Sequence, residues 1–529
     1  MTTTRHPATS DSTTASYRRY FGDYLPPTDN FVSVLEHWAE FQTHRPSYIF
    51  SDFESHEVSL TYAEMYDEVR GLAGYLQDRC RIRSGDRVLL LYPPGLDFVV
   101  GFFACLAIGA IAVPAFPPRR NRKASRIRSI VVDANARWAL STGSVVEQLQ
   151  GDREHDDLIG IGLVATDDPA NRASDRLRRP KITPETLAVL QYTSGSTGSP
   201  KGVMLTQGNL IANSQLIFQG FNIQPGTVGC SWLPTYHDMG LVGGVVMPMF
   251  IGCKNVLTSP MTFLQRPARW LQGIGQHGVT VSGGPNFAYQ LCVDKVDPAE
   301  MEGVDLSTWS IAFNGAEPIR AKTLDAFAEK FAPFGFRRSS MLPCYGMAET
   351  TLLVTGGPPD PRPILKHFDG RSLDQRQVRP IESSDEHARE LVGCGEVLDN
   401  ERVLIVDADT RRPCGADRIG EIWVQSPSVG LGYYRRDDAT AATFNAHTVD
   451  GDGPFLRTGD LGFLHDGQLY VSGRLKDMII VRGVNRYPQD IEETVERASD
   501  LVQAGAVGAV AMDHDGRAIG DRRRNGAAA

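Results

Sequence analysis

From Thr61 to Ala134 the chain repeatedly changes its hydrophobic period, and this alternation restricts the possible folds more than any other feature. A helical pattern, TYAEMYDEVRGLAGYLQ from Thr61, gives way to a strand-like RVLLLY from Arg87. A helix-like LDFVVGFFACLAI from Leu96, a strand-like GAIAVP from Gly109 and a helix-like ASRIRSIVVDA from Ala124 follow. Short β runs joined through helices predict a mostly parallel sheet covered on both faces. The uncharged stretch Phe98–Pro118, with RRNRKASRIR after it, also has the composition of a membrane-spanning helix with a positive flank. Gly109 and Pro114 divide that stretch into parts the length of buried α/β core elements, so no stable span is expected.

The same alternation returns later. GVTVSGG precedes a helix-like PNFAYQLCVDKV, and SIAFNG from Ser310 precedes a helix in which Leu324, Phe327, Ala328 and Phe331 share one face. From Leu391 the pattern changes to short strands and hairpins, with Asp466-Gly467 as a tight-turn signal, and a last unit begins near Leu475. With 529 residues and 41% hydrophobic composition, the chain can bury a core divided among roughly three or four units. A net charge of −9 disfavours nucleic acid as a partner, because binding there needs a basic surface. Eight cysteines without a CxxC pair read as reduced thiols in a cytoplasmic protein. The Ser/Thr-rich segment 1–20 lacks an apolar signal core and is expected to be disordered.

Tyr192–Gly202 reads YTSGSTGSPKG. Glycines let backbone N–H groups converge, and Ser, Thr and Lys add donors and charge, so the loop suits an anion such as phosphate. It does not fit the G-x-x-x-x-G-K-[ST] pattern. The other reading is a flexible linker, although the loop lies between a strand-like LAVLQYT and a second apolar run, GVMLT, that leads into a helical pattern. Four further stretches follow in order: WLPTYHDMGL from Trp232, FNGAEP from Phe313, YGMAET from Tyr345, and RTGDLG to GRLKD from Arg457 to Asp477. Together these five stretches resemble the adenylate-forming ligases, which make an acyl-AMP from ATP and a carboxylic acid, over roughly residues 31–512. The resemblance implies a large adenylating domain at 21–474, built from two α/β sheets and a smaller β-rich part, and a small α+β C-terminal lobe at 475–529 after a hinge at Lys476.

What the resemblance implies for individual residues follows its motifs. Thr193, Ser194, Gly195, Ser196, Thr197, Gly198 and Lys201 wrap the ATP phosphates; Glu349 holds magnesium, and Thr350 offers a hydroxyl near the α-phosphate. Asp460 accepts from the ribose hydroxyls with Arg474 close by, and Gly315, Ala316, Glu317, Tyr345, Gly346 and Met347 complete the nucleotide site. Around Gly315–Glu317, a helix N-terminal cap is the competing reading. His237, with Asp238, Gly283 and Gly284, belongs to the acid-binding side, and Lys201, His237, Glu349 and Thr350 form the catalytic set. His-Asp also marks metal phosphohydrolases, and a histidine packed at an apolar helix start is a third reading. LVGGVVMPMF and VSGGPNFAYQL suit an apolar tunnel and suit plain core equally well.

The details of WLPTYHDMGL and a polar, proline-rich passage between Leu353 and Leu391 resemble the fatty acyl-AMP ligase branch. That branch activates long-chain fatty acids for a carrier protein's phosphopantetheine, including carrier domains of polyketide synthases, in lipid or polyketide synthesis. An ordinary variable surface loop is the alternative for the passage. No lysine follows Lys476, and the tail GRAIGDRRRNGAAA shows no helix or strand period, so an incomplete lobe without the family's late lysine is expected. Competing functions are a fatty acyl-CoA ligase and a non-catalytic ATP or acyl-adenylate binding module. Arg119, Arg120, Arg122, Lys123, Arg126 and Arg128 form a basic run read either as a docking patch for an acidic carrier or as a solvated helix face.

Overall fold

A computed structural model of the chain describes residues 20–22, 25–117, 125–151, 160–172, 177–193, 200–357 and 363–477, with short stretches at 479–481, 484–486, 491–492, 495, 509–514 and 517–522. The segment expected to be disordered, the loop residues Ser194–Gly198, most of the basic run and most of 475–529 lie outside the described residues.

Three large sheets form the body. The first has six strands in the order Gly162–Ala165, Trp138–Ser141, Arg87–Leu90, Ile111–Pro114, Leu187–Thr193 and Lys201–Thr206, all parallel except the last. The second has seven, in the order Met341–Pro343, Ile311–Asn314, Val281–Gly284, Val228–Ser231, Lys254–Leu257, Pro46–Ser51 and Glu57–Thr61, again parallel except the last. The third, also seven-stranded, is antiparallel throughout and runs from Tyr345–Gly346 at one edge to Arg402–Val406 at the other.

The uncharged stretch is core. Helix Leu96–Ala107 buries every residue from Phe98 onward, and Ile111–Pro114 is a fully buried strand. Gly109 separates the two because the chain turns there at φ +68°, while Gly109 N–H and Ala110 N–H close the helix end on Leu106 and Cys105 carbonyls. Among the described residues no helix is long and apolar enough to cross a membrane. The face expected of Leu324, Phe327, Ala328 and Phe331 is buried on helix Ala321–Phe331. Asp466 and Gly467 both take positive φ, and His465 pairs with Gln468, as a two-residue hairpin requires.

Two expectations change. The passage after Leu353 is not a plain loop: Leu365–Asp369 pairs with Ala388–Val392, and helix Gly370–Asp374 follows the first of these strands. Phe368, Leu373 and Val378 are buried against Ile419, Leu461, Phe463 and Tyr470, so a few apolar residues in polar sequence anchor the passage on the third sheet. In the tail, Arg517–Arg522 pairs antiparallel with Ala509–His514, although its sequence has no strand period. A two-stranded ribbon needs no alternating face when backbone pairing alone defines it, and the two intervening residues in sequence are Asp515 and Gly516.

A short extension joins the first and third sheets. Tyr434 N–H donates to Gly202 O (2.8 Å), Met204 N–H to Gly432 O (2.9 Å) and Leu431 N–H to Met204 O (2.9 Å), so 431–434 runs along strand Lys201–Thr206. Helix Gln207–Gly220 reinforces this junction: Asn209 Nδ2 donates to Pro427 O (2.8 Å) and Val429 O (3.0 Å), and Asn213 Nδ2 to Leu353 O (2.9 Å).

Candidate functional site

The site lies where the first sheet's last hairpin, the ends of the second sheet's strands and the Tyr345 edge of the third meet. Strands Leu187–Thr193 and Lys201–Thr206 pair so that Thr193 lies opposite Lys201. The glycine-rich segment is therefore the connection of a hairpin anchored in a sheet, which rules out the linker. Tyr192 Oη, at its entrance, donates to Asp133 Oδ2 (2.7 Å), and Arg436 holds the other oxygen of Asp133 (2.8 Å).

Lys201 Nζ stands 4.8 Å from the centre of the Tyr433 ring. The Tyr433 hydroxyl donates to Glu349 Oε1 (2.7 Å), so one side chain links cation and carboxylate. Glu349 is 8% exposed, and burial raises its pKa, with the Tyr433 hydrogen bond opposing the rise and the charges of Asp238 and Asp460 adding to it. Asp238 and Asp460 thus both oppose ionisation of Glu349.

Asp460 sits on strand Leu456–His465, directly opposite Arg474 on Gln468–Arg474. Its carboxylate accepts from Tyr345 Oη (2.7 Å) and Arg474 Nε (3.1 Å); burial raises its pKa while Arg474 pulls it down. Each carboxylate oxygen has a further lone pair for a ligand hydroxyl. Buried Glu421 sets the preceding turn, accepting from Gly459 N–H (3.2 Å) and Arg457 Nε (2.9 Å). Gly346 can be nothing larger, since a Cβ there would stand 1.8 Å from Leu352 O.

Ala316 lies at φ +68° just past strand Ile311–Asn314, and the next helix begins at Ala321 with Arg320 as its cap. Gly315–Glu317 is therefore a loop and not a helix cap, and Glu317 Oε1 accepts from Phe287 N–H at 2.5 Å.

From Gly315, Ala316, Tyr345 and Gly346 a mainly apolar cavity, open at its mouth, extends between helix Gln207–Gly220 and the segment that begins at Met239. That segment, Met239–Val246, is a π-helix continued directly by helix Met247–Ile251. Asp238 precedes it and lines the cavity; its carboxylate accepts from Met239 N–H (2.8 Å), and burial raises its pKa. Gly243, Met247 and Pro248 line the same space, which favours the tunnel reading for LVGGVVMPMF.

Other expected residues stand elsewhere. His237 is exposed, with its ring centre 5.0 Å from that of Tyr236, so it is not packed at an apolar helix start. Among the described residues there is no cluster of three or more His, Cys, Asp or Glu able to hold a metal. Gly283 and Gly284 are absent from the cavity wall. Their missing side chains make room for Phe313 O and the Trp232 ring, because a Cβ would meet them at 2.1 and 2.7 Å. Thr350 is fully buried and its hydroxyl donates to Met347 O (2.9 Å), so it braces its own turn instead of facing the cavity. Thr193, Met347 and Lys476 are partly or fully exposed at the ends of their elements, and Arg128 is the one member of the basic run with a described side chain.

Two residues escaped sequence reasoning. Tyr433 meets Glu349 across 84 residues of chain, and no local pattern marks it. Gln191, fully inside strand Leu187–Thr193, donates from Nε2 to Tyr236 O (2.8 Å) and so ties the hairpin to the His237 turn.

The family of AMP-binding enzymes matches residues 35–434. A medium-chain-fatty-acid–[acyl-carrier-protein] ligase, JamA of Moorena producens, is 39% identical over 93% of this chain and 84% of its own length. A 4-hydroxyphenylalkanoate adenylyltransferase of Mycobacterium tuberculosis is 37% identical over 92% of this chain and 80% of its own. The structure of a fatty acyl-adenylate ligase from Legionella pneumophila, in complex with acyl adenylate and pyrophosphate, superposes with a TM-score of 0.82 at 37% identity, covering 94% of this chain and 86% of that one.

Proposed function

The chain belongs to the family of AMP-binding enzymes, and from that premise we propose that it activates a fatty acid to fatty acyl-AMP, with ATP as the other substrate and pyrophosphate as the leaving group. The observation that carries this reading is the continuity of the cavity. Gly315, Ala316, Tyr345 and Gly346, which the motifs place at the nucleotide, also line the apolar space that extends past Gly243, Met247 and Ile251.

The proposed reaction is an in-line attack of the fatty acid carboxylate on the α-phosphate, which requires positioning and charge compensation more than a covalent nucleophile. Lys201, held over Tyr433, supplies positive charge to the phosphates beside the hairpin. Asp460 accepts from the ribose hydroxyls, and Tyr345 and Arg474 fix its orientation. His237, exposed at the turn next to Asp238, is assigned to the acid-binding side by its motif alone. Glu349 is a single hard oxygen donor in a carboxylate-rich space. It fits magnesium, which is commonly bound by one or two carboxylates together with substrate phosphates and, when present, offsets the charge of the departing pyrophosphate.

We assign 21–474 to the adenylating domain, with a hinge at Lys476 and a C-terminal lobe after it. The acceptor is a carrier-protein phosphopantetheine, in lipid or polyketide synthesis, in the cytoplasm, where ATP and reduced thiols coexist. In support, the carrier-protein ligase JamA is similar over nearly the whole chain. Trapping acyl-AMP with hydroxylamine across fatty acids of increasing length tests the activation step. Hydroxamate that depends on both ATP and a fatty acid supports it, and none with any acid refutes it. Efficient acyl-CoA formation on adding coenzyme A would replace the carrier by coenzyme A.

A further inference from the structure

Helix Ser125–Ala134 ends in an acid that the helix itself does not need. Asp133 stands in its last turn, where a negative charge opposes the helix dipole. The carbonyl groups at this end are already met, because Arg87 Nε donates to Ala134 O (2.9 Å) and a terminal guanidinium nitrogen of Arg87 to Asn135 O (3.0 Å). Ile127, Ile130 and Ala134 fix the helix on the first sheet, in one apolar cluster with Leu190 and Tyr192. Neither the capping nor the packing of the helix accounts for a carboxylate at 133.

Its partners do. The Asp133 side chain is only 12% exposed, and its two oxygens serve two different segments. Tyr192 Oη donates to Oδ2 (2.7 Å) from the base of the glycine-rich hairpin, and Arg436 donates to Oδ1 (2.8 Å) from the start of helix Asp437–Phe444. These two segments meet beside Lys201. Tyr192 pairs with Gly202 across the hairpin, and a Cβ on Gly202 would lie 2.9 Å from Tyr192 Cζ, so the tyrosine ring packs directly on the glycine. Gly202 O accepts from Tyr434 N–H (2.8 Å), and Arg436 N–H donates to Tyr433 O (3.2 Å). Tyr433 in turn carries Lys201 over its ring and donates to Glu349. One carboxylate therefore holds both sides of the Lys201–Tyr433 contact, although Asp133 itself does not line the cavity.

We infer that Asp133 is a positioning residue for the phosphate end of the nucleotide: by tying Tyr192 and Arg436 to one helix end, it keeps Lys201 in place against Tyr433 and Glu349. This inference rests on the phosphate reading of the hairpin. It adds a residue that lies outside all five motifs and acts on the phosphates only through its two partners.

The test compares binding of ATP with binding of AMP, which lacks the β- and γ-phosphates, by calorimetry on the full chain. The variants are Asp133→Ala, Asp133→Asn, Tyr192→Phe and Arg436→Ala, with Lys201→Ala as the reference and thermal melting measured in parallel. Misplacing a binding group by about 1 Å can cost about 100-fold, and Asp133→Ala should lose roughly tenfold in ATP affinity but less than about twofold in AMP affinity. Asp133→Asn still offers an oxygen to Tyr192 and should lose less. Tyr192→Phe keeps the ring on Gly202 and should show the same preference for weakening ATP. Added to Asp133→Ala, it should cost less than it does in the wild type, since the two groups act as one. A role confined to stability would lower the melting temperature without separating the two nucleotides. Equal losses for ATP and AMP would overturn the inference, as would ATP affinity unchanged in Asp133→Ala and Tyr192→Phe while Lys201→Ala weakens it. Should Asp133→Ala fail to fold, Tyr192→Phe and Arg436→Ala decide by the same criterion, the Arg436 side chain being 40% exposed. ATP affinity unchanged in Lys201→Ala would instead overturn the phosphate reading of the hairpin, and this inference with it.

Discussion

Replacing Glu401 by glutamine should stabilise the protein, and more so as pH rises. Glu401 lies just before strand Arg402–Val406; Ser426 Oγ donates to its Oε1, and its Oε2 is buried without a partner. Burial pushes its pKa from the ordinary 4.5 up to about 8, against a smaller opposing effect of Ser426. The unfolded chain releases this proton near 4.5, whereas the folded chain keeps it to about 8. Within that window the folded state binds more protons, so stability falls as pH rises through it. An interval of about 3.5 in pH at ~1.4 kcal/mol per pH unit gives roughly 4 to 5 kcal/mol as an upper bound. Glutamine has no proton to lose and presents an N–H₂ where the neutral acid presents O–H. The two proteins should therefore melt together near pH 4.5 and separate progressively toward pH 8, by several degrees on the scale of a large domain. The effect reaches the site through the 426–430 turn, in which Gly430 N–H donates to Glu349 O (2.9 Å) and Thr351 Oγ1 to Ser428 O (2.7 Å). Thermal melting of both proteins at pH 5, 6, 7, 8 and 9 is the assay. A difference in melting temperature that stays constant across the series would refute the reasoning, because a purely steric or packing effect does not titrate.

Three other outcomes are expected. Tyr433→Phe keeps the ring under Lys201 but removes a hydrogen bond to a charged group, worth about 1.5–3 kcal/mol, so kcat/KM should fall roughly 10- to 100-fold with the fold intact; circular dichroism and steady-state kinetics check this. Lys201→Ala should weaken ATP binding in calorimetry without lowering the melting temperature, since Lys201 is only partly buried and Tyr433 keeps its bond to Glu349. Gly346→Ala should lower the melting temperature by several degrees, because its methyl group would overlap Leu352 O, and a variant as stable as the wild type would show that the Tyr345–Leu352 turn can open.

The sequence by itself determined the features that arise between near neighbours. The alternating periods from Thr61 to Ala134 specify buried strands and helices, because a strand or helix face is read within a few residues, and the uncharged stretch resolves into helix and strand at Gly109 for the same reason. The Asp466-Gly467 turn and the position of the glycine-rich loop between two apolar runs were equally local, whereas the antiparallel pairing of those runs came from the structure. The order of the five motifs was enough to indicate the AMP-binding family. Tertiary structure decided which residues within those motifs face the cavity. Asp238 lines it, while Thr350, from a motif that also supplies Glu349, turns inward to Met347, and Gly283 and Gly284 serve strand packing. Tyr433 reaches Glu349 across 84 residues, from the 431–434 extension laid along strand Lys201–Thr206, and Tyr345 reaches Asp460 across 115, between two strands of the third sheet. Side-chain direction at a turn, and partnership across sheets, depend on atoms far away in sequence, and no local period records them.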